Sequence, residues 1–470
     1  MLVNSFYFLI FFPLVCLVYY LLPKLWLRNS FLLVASYYFY MCWKPVFALL
    51  LVSVTLIAYT GGLCITRISS EKKKKWILKI TIIANVSILF FYKYFNFVAK
   101  TITETLNTSG TNITVSHLDI LMPIGISFFV FKAISYLVDI YRGKLQVEEN
   151  LVDYSLYIAF FPQLLAGPID RATNLLPQLK HKILFDGFNV SSGLKMMLWG
   201  YFMKVAVADR IATYVDAVYN NIYHHNGTTL LTTAVMYSFQ IFCDFAGYSL
   251  ISIGAAKTMG YNVPANFTRP YFAVSITDFW KRWHISLTSW LREYVYIPLG
   301  GNRCSKFRNY YNIFITFLVS GIWHGAAWNF MFWGGLHGLF QIIEKTLGLT
   351  NKADEMHAAM KVFRIIVTFF IATFAWIFFR LDINTSLLAI SKIFTTAGPI
   401  FNLTGSAMLY SLFGLLLIFL KDYTDEYTPG RFLLFENKHI AIRYGGYLAV
   451  VFLILLTGVF DSSQFIYFQF

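Results

Sequence analysis

Charge is what this chain has least of. Charged residues fill 13% of its 470 positions, roughly half the share of a soluble globular chain, about 25%. That deficit excludes a cytosolic enzyme, a coiled coil or a disordered chain as the main body. Cysteine is sparse too. Cys16, Cys42, Cys64, Cys243 and Cys304 are odd in number, scattered, and show no CxxC or Cys/His spacing. Neither a disulfide framework nor a metal centre is implied. The sequence shows no GxGxxG turn, Walker loop, HExxH or serine nucleophile elbow, so the common signatures of nucleotide, zinc and α/β-hydrolase chemistry are missing.

What is abundant is apolar surface, at 58% of residues, with 19% aromatic. Such a chain lives in a bilayer. Its net charge of +15 does not point to nucleic acid, because the basic residues sit at the ends of apolar runs and no nucleic-acid motif accompanies them. The positive-inside rule accounts for them.

Apolar runs predict spans over 1–23, 29–43, 45–66, 77–98, 119–140, 229–258, 362–380, 393–420 and 444–460. Residues 309–343 are uncharged for 35 positions. That is long for one straight span of about 20 residues, so a bend or helical hairpin is expected. The segment Arg67 to Lys79 carries six basic residues and one acidic one, and Tyr141-Arg142-Gly143-Lys144 repeats the signal. Both clusters belong on the cytoplasmic side of one consistent topology, with the N-terminus and the C-terminal tail outside. Between 145 and 227 the apolar segments are broken by Pro162, Gly167, Pro168 and Pro177 and by charges. Short, re-entrant or interfacial helices are expected there, since irregular backbone at membrane depth needs protein or water around it. The chain reads as one all-α polytopic membrane domain, 1–470, with 461–470 as an extracytoplasmic tail.

Three of the nine histidines stand apart from polar loops. His324, in Ser320-Gly-Ile-Trp-His324-Gly325, lies inside the longest uncharged run. An ionisable group there is costly and marks a functional site or a buried hydrogen bond. Gly321 and Gly325 flank it at a spacing that permits close helix approach. His337 lies thirteen residues on, about 220° around a regular helix, among Gly334, Gly335 and Gly338, and is read as structural. His284 lies in Asp278-Phe-Trp-Lys281-Arg282-Trp-His284-Ile-Ser-Leu. If this stretch is one helix, Lys281, His284, Thr288 and Arg292 form a cationic stripe opposite an aromatic face. Such a helix either rests on acidic headgroups or brings cations to the phosphates of an acyl donor.

Several of these stretches together resemble the membrane-bound O-acyltransferase (MBOAT) family, in its bacterial alginate O-acetyltransferase branch. They are Asp278 to Leu287, Trp290-Leu-Arg-Glu-Tyr-Val-Tyr-Ile-Pro-Leu-Gly-Gly-Asn302-Arg303 and Gly321-Ile-Trp-His324-Gly. Pro123-Ile-Gly-Ile-Ser-Phe-Phe, Ser135 to Gly143 and Phe161-Pro-Gln163-Leu-Leu-Ala-Gly167-Pro168-Ile fit the branch as well. The resemblance implies a ring of tilted membrane helices, with re-entrant and interfacial pieces, around a central tunnel. It implies His324 as the principal catalytic residue and His284 as its partner. The tail, Phe465-Ile-Tyr467-Phe-Gln-Phe470, matches an FxYxxF pattern that the resemblance associates with a tyrosine acyl relay; an aromatic-belt residue is the plainer reading. The implied reaction takes an acetyl group from cytoplasmic acetyl-CoA, with no metal. Lys281, Arg282 and Arg303 would hold the donor's phosphates. The acetyl group would pass to an extracytoplasmic SGNH-type partner, with a Ser/His/Asp site of its own, that acetylates a polysaccharide. The setting is the bacterial cytoplasmic membrane. D-alanyl transfer to teichoic acid within the same family, a transporter or flippase, and a structural scaffold are the competing readings.

Overall fold

The computed structural model describes residues 1–108, 118–350, 356–402, 405–430, 434–460 and 466. Their regular structure is helical throughout. Contacts gather the chain into two compact units, Met1–Gly193 with Ala255–Pro264, and Leu194–Gly254 with Ala265–Phe470.

The first unit carries α1 (Phe6–Leu21), α2 (Leu25–Met41), α3 (Phe47–Arg67), α4 (Glu71–Thr108), α5 (Ile126–Tyr141) and the short helices α6 (Leu151–Ala159), α7 (Phe161–Leu164) and α8 (Ala172–Leu179). Helix α4 runs 38 residues, about 57 Å at 1.5 Å per residue. It therefore continues past the expected end of the span near residue 98. Most of α5 is buried, as expected for a helix enclosed by protein rather than lipid. Its Lys132 donates to the carbonyl of Tyr157 at 2.9 Å and to Gln163 Oε1 at 3.0 Å, and Gln163 Nε2 donates to Asp170 Oδ2 at 3.3 Å. The Phe161-to-Ile169 motif thus pins a buried lysine. A buried charge is tolerated only when it is paired and hydrogen-bonded in this way.

Helix α9 (Gly187–Tyr201) leads into the second unit. There a π-helical stretch, Phe202–Ala208, joins it to α10 (Asp209–Tyr219), followed by α11 (Gly227–Thr258). The broken region 145–227 is built from short helices only as far as α8; from Gly187 to Tyr219 the chain is one continuous helical run with the π-helical stretch in its middle, so the expectation of short pieces fails there. Among the described residues, five helices are long and apolar enough to cross a membrane: α3, α4, α11, α16 (Ala358–Arg380) and α19 (Ile440–Thr457). Of these, α11 has 89% of its apolar window buried, against 11% for α4. Helix α11 is therefore enclosed by protein, and α4 turns most of its surface outward.

The uncharged run around His324 folds as the expected hairpin, α14 (Lys306–His324) against α15 (Trp328–Thr346). Two further expectations are corrected. The apolar run 393–420 is not one span: α17 (Ile383–Thr395) ends, and α18 (Gly405–Tyr427) starts anew. The stretch after 278 is not one amphipathic helix either. It splits into α12 (Ile276–Arg282) and α13 (Ile285–Leu291), with His284 left-handed between them at φ 43°, ψ 53°. A left-handed residue cannot continue a right-handed helix. The proposed stripe dissolves accordingly: Lys281 and Arg292 are exposed while His284 is fully buried.

Candidate acyl-transfer site

His324 is the last residue of α14, and the α14–α15 hairpin sets its position. A Cβ on Gly321 would overlap the carbonyl oxygen of Phe330, and one on Gly334 would overlap that of Phe317. Glycine at both positions lets the two backbones touch. The imidazole of His324 is buried among aromatic rings. Trp323, Trp333 and Phe379 stand 4.9, 5.1 and 5.3 Å from it, centroid to centroid, all edge-on.

His284 comes from the junction of α12 and α13. Its ring centroid lies 6.4 Å from that of His324 and 4.6 Å from Phe245, which meets it edge-on. Forty positions of sequence separate the two histidines, and the second unit brings them together. The left-handed backbone at His284 costs about 1–3 kcal/mol and persists because Asn266 clamps it. The backbone oxygen of Asn266 accepts from the Ile285 amide at 2.9 Å. Its side-chain oxygen faces His284 Nδ1 at 3.1 Å and accepts from the Ser286 amide at 3.2 Å and the Ser286 hydroxyl at 2.9 Å. Its Nδ2 donates to Ser249 Oγ at 3.1 Å.

This clamp also fixes the histidine's tautomer. A backbone amide only donates, so the Asn266 atom it meets is the oxygen. His284 Nδ1 must then be the donor toward that oxygen, which makes Nε2 the lone-pair nitrogen of the neutral ring. Nothing in the local sequence announces Asn266, since an Asn eighteen residues upstream of a histidine carries no periodic signal.

Helix α12, which leads into His284, is anchored at both ends. Its first amides, Ile276 and Thr277, donate to the Glu344 carboxylate at 2.5 and 3.0 Å, an anion placed where a helix N-terminus favours one. At its other end Arg282 pairs with Asp278 at 3.0 Å and with Glu426 at 2.9 Å, and Arg269 joins Glu426 at 2.6 Å. Arg282 is thus committed to two carboxylates, whereas Lys281 and Arg303 are exposed. His337 is fully buried and accepts from Trp280 Nε1 at 3.2 Å, and Trp333 lies beside both His337 and His324. Its role is to hold an indole. Tyr467 lies outside the described residues, as does all of the FxYxxF tail except Ile466.

The family model described as MBOAT, membrane-bound O-acyltransferase family, matches residues 145–388, a span that holds both histidines and the Asn266 clamp. The chain belongs to the membrane-bound O-acyltransferase family. It is 38% identical over 383 residues to the "Probable alginate O-acetylase AlgI" of Pseudomonas aeruginosa, covering 81% of this chain and 71% of that protein. It is 35% identical over 402 residues to the peptidoglycan O-acetyltransferase of Helicobacter pylori, covering 79% and 73%. To the teichoic acid D-alanyltransferase of Bacillus subtilis it is 27% identical over 268 residues, covering 54% and 68%. This MBOAT chain is a multi-pass membrane acyltransferase. Among its described residues no group of three or more His, Cys, Asp and Glu side chains could hold a metal ion.

Proposed function

We propose that this protein transfers acetyl groups from acetyl-CoA on the cytoplasmic side of a bacterial cytoplasmic membrane toward an extracytoplasmic polysaccharide. The observation that carries the reading is the pair of buried histidines 6.4 Å apart, in a chain whose relatives include alginate and peptidoglycan O-acetyltransferases.

In this scheme His324 takes the proton of the Tyr467 hydroxyl. The phenolic oxygen attacks the thioester carbonyl, the C–S bond breaks, and the proton held by His324 goes to the leaving thiolate. The acetyl ester on Tyr467 then passes to the serine of an SGNH-type partner outside the membrane, and from there to the glycan. His284 has a lone pair at Nε2, so its role is to accept a hydrogen bond and orient a reacting group. Stabilising an oxyanion would require a proton on Nε2, hence a doubly protonated ring or a broken contact to Asn266. Lys281 and Arg303 supply exposed cations for the donor's phosphates. Arg282, the third expected cation, contributes by holding α12. The cluster Arg67 to Lys79 faces the cytoplasm, with both termini outside.

The test is purified protein in vesicles given acetyl-labelled acetyl-CoA. Label should appear as an acetyl ester on Tyr467 by mass spectrometry and be lost in His324→Ala, with folding retained. An active His324→Ala variant removes the catalytic role. A normal level of polymer acetylation in Tyr467→Phe cells removes the relay. Transfer of D-alanyl from a carrier protein, with no acetyl transfer, would assign the chain to the teichoic acid branch.

A further inference from the structure

Two of the described residues carry left-handed backbone without being glycine: His284 and Arg269. The histidine is held by its clamp. Arg269, at φ 45° and ψ 60°, stands three residues after Asn266, the clamp itself. It also precedes Pro270, and a residue before proline favours extended backbone. Such a conformation persists only where its surroundings hold it.

What holds it is a closed loop and one carboxylate. Residues 266–285 return on themselves at a neck of two backbone hydrogen bonds. The Ile285 amide donates to the Asn266 carbonyl at 2.9 Å, and the Thr268 amide donates to the Arg282 carbonyl at 2.9 Å. Arg269 follows Thr268 on one branch, and Arg282 lies on the other. Both guanidiniums reach Glu426 on α18. Arg269 Nε donates to Oε2 at 2.6 Å, and an Arg282 terminal nitrogen donates to Oε1 at 2.9 Å. One carboxylate, with one oxygen for each arginine, thus ties the two branches of the neck. The three side chains are only 12–29% exposed, so solvent and salt weaken these bonds less than those of a surface pair.

We infer that Glu426 is a positioning residue for the acyl-transfer site. By tying Arg269 to Arg282 it keeps the 266–285 loop closed, so that Asn266 meets His284 and His284 stays beside His324. The inference rests on the proposed function in one respect, that the histidine pair is the reacting centre. Positioning of this kind contributes strongly to rate.

The test uses full-length protein in nanodiscs and diethyl pyrocarbonate, which carbethoxylates the lone-pair nitrogen of an accessible neutral imidazole. His284 and His337 are both fully buried, so His337 serves as the internal standard. Labelling is read by mass spectrometry, with transfer from acetyl-CoA measured in parallel. Glu426→Ala should label His284 at least ten-fold faster than wild type while His337 keeps its wild-type rate. Its kcat should fall at least five-fold with KM for acetyl-CoA unchanged. Glu426→Gln keeps the size and one accepting oxygen; it should fall between the two and serves where Glu426→Ala does not fold. Arg269→Gly loses the bond but takes left-handed φ freely, whereas Arg269→Ala loses the bond and keeps the strain. The glycine variant should therefore keep at least three times the kcat of the alanine variant. Wild-type labelling of His284 in both Glu426 variants overturns the inference. So does equal acceleration at His284 and His337, which reports general loosening. A raised KM with kcat unchanged also overturns it, assigning the two arginines to the donor's phosphates. If His284 labelling rises as expected and even wild type transfers no acetyl, the positioning role stands and the acetyl-transfer reading falls.

Discussion

Asn266→Ala is the substitution that separates a clamp from a catalyst. It touches no reacting atom, yet it removes the side-chain oxygen that meets His284 Nδ1, the Ser286 amide and the Ser286 hydroxyl. Three hydrogen bonds at about 1 kcal/mol each oppose a left-handed backbone that costs about 1–3 kcal/mol. The two terms are of similar size, so removing the first leaves the strain at His284 uncompensated. The backbone then relaxes toward ordinary φ, and the imidazole leaves its place beside His324. If the active arrangement must be restored at that cost in each cycle, kcat falls about 5- to 150-fold, at roughly 1.4 kcal/mol per factor of ten. The assay is acetyl transfer in vesicles, with thermal unfolding followed in parallel. KM for the donor should hold, because the exposed cations are untouched. Asn266→Asp keeps the oxygen and should recover most of the rate. A wild-type kcat in Asn266→Ala, alongside an inactive His284→Ala, would refute the argument, because His284 would then hold its place without the clamp.

Other outcomes follow from the same geometry. His284→Gly should be inactive yet at least as stable as His284→Ala, since glycine takes a left-handed φ without penalty; thermal unfolding of the two compares them directly. Gly321→Ala forces a methyl against the Phe330 carbonyl and should destabilise the α14–α15 hairpin by at least about 1–3 kcal/mol. Gly335→Ala, whose Cβ meets nothing nearer than 3.7 Å, should leave stability and transfer unchanged. His337→Leu orphans Trp280 Nε1 and should cost about 1–3 kcal/mol, while transfer per folded molecule stays above a tenth of wild type; complete loss would instead place His337 in the chemistry. Asp382 caps α17 by accepting from Thr385, and its hydrogen bond from the Thr385 side chain holds its carboxyl below the usual Asp range. Its contribution is therefore present above the unfolded value near 3.9 and fades as pH falls through the lower folded value. Asp382→Ala should cost about 1 kcal/mol at neutral pH and nothing at strongly acid pH, as read by unfolding at the two pH values.

The parts of this molecule visible from sequence are those that depend on sums over neighbours. Hydropathy accumulates along α3, α11, α16 and α19, so their existence is readable within a few residues of their ends. The α14–α15 hairpin was readable as well, because 35 uncharged residues cannot cross once without bending. His324 is conspicuous for the same reason: a titratable group in such a run is an exception that can be seen locally. What escaped is what tertiary clamps decide. The residues from Asp278 to Arg292 have good helical periodicity, and periodicity argues for one continuous helix. Asn266 breaks that helix at His284 from eighteen positions away, and no window along 278–292 contains the cause.

Asp244 shows where the boundary lies. Its oddity within an apolar run is legible, but its meaning is not, because its partners are Lys204, forty positions before it, and Ile466, 222 positions after it. In a chain this poor in charge, each buried ion must be matched by partners inside the protein, near in sequence as for Lys204 and Asp209 or far as for Lys204 and Asp244, since the bilayer offers no solvent to do it. Scarcity of charge therefore makes the few buried ions easy to find while hiding what they hold. A buried acid in such a chain is best read as half of a contact, and the other half has to be sought in the fold.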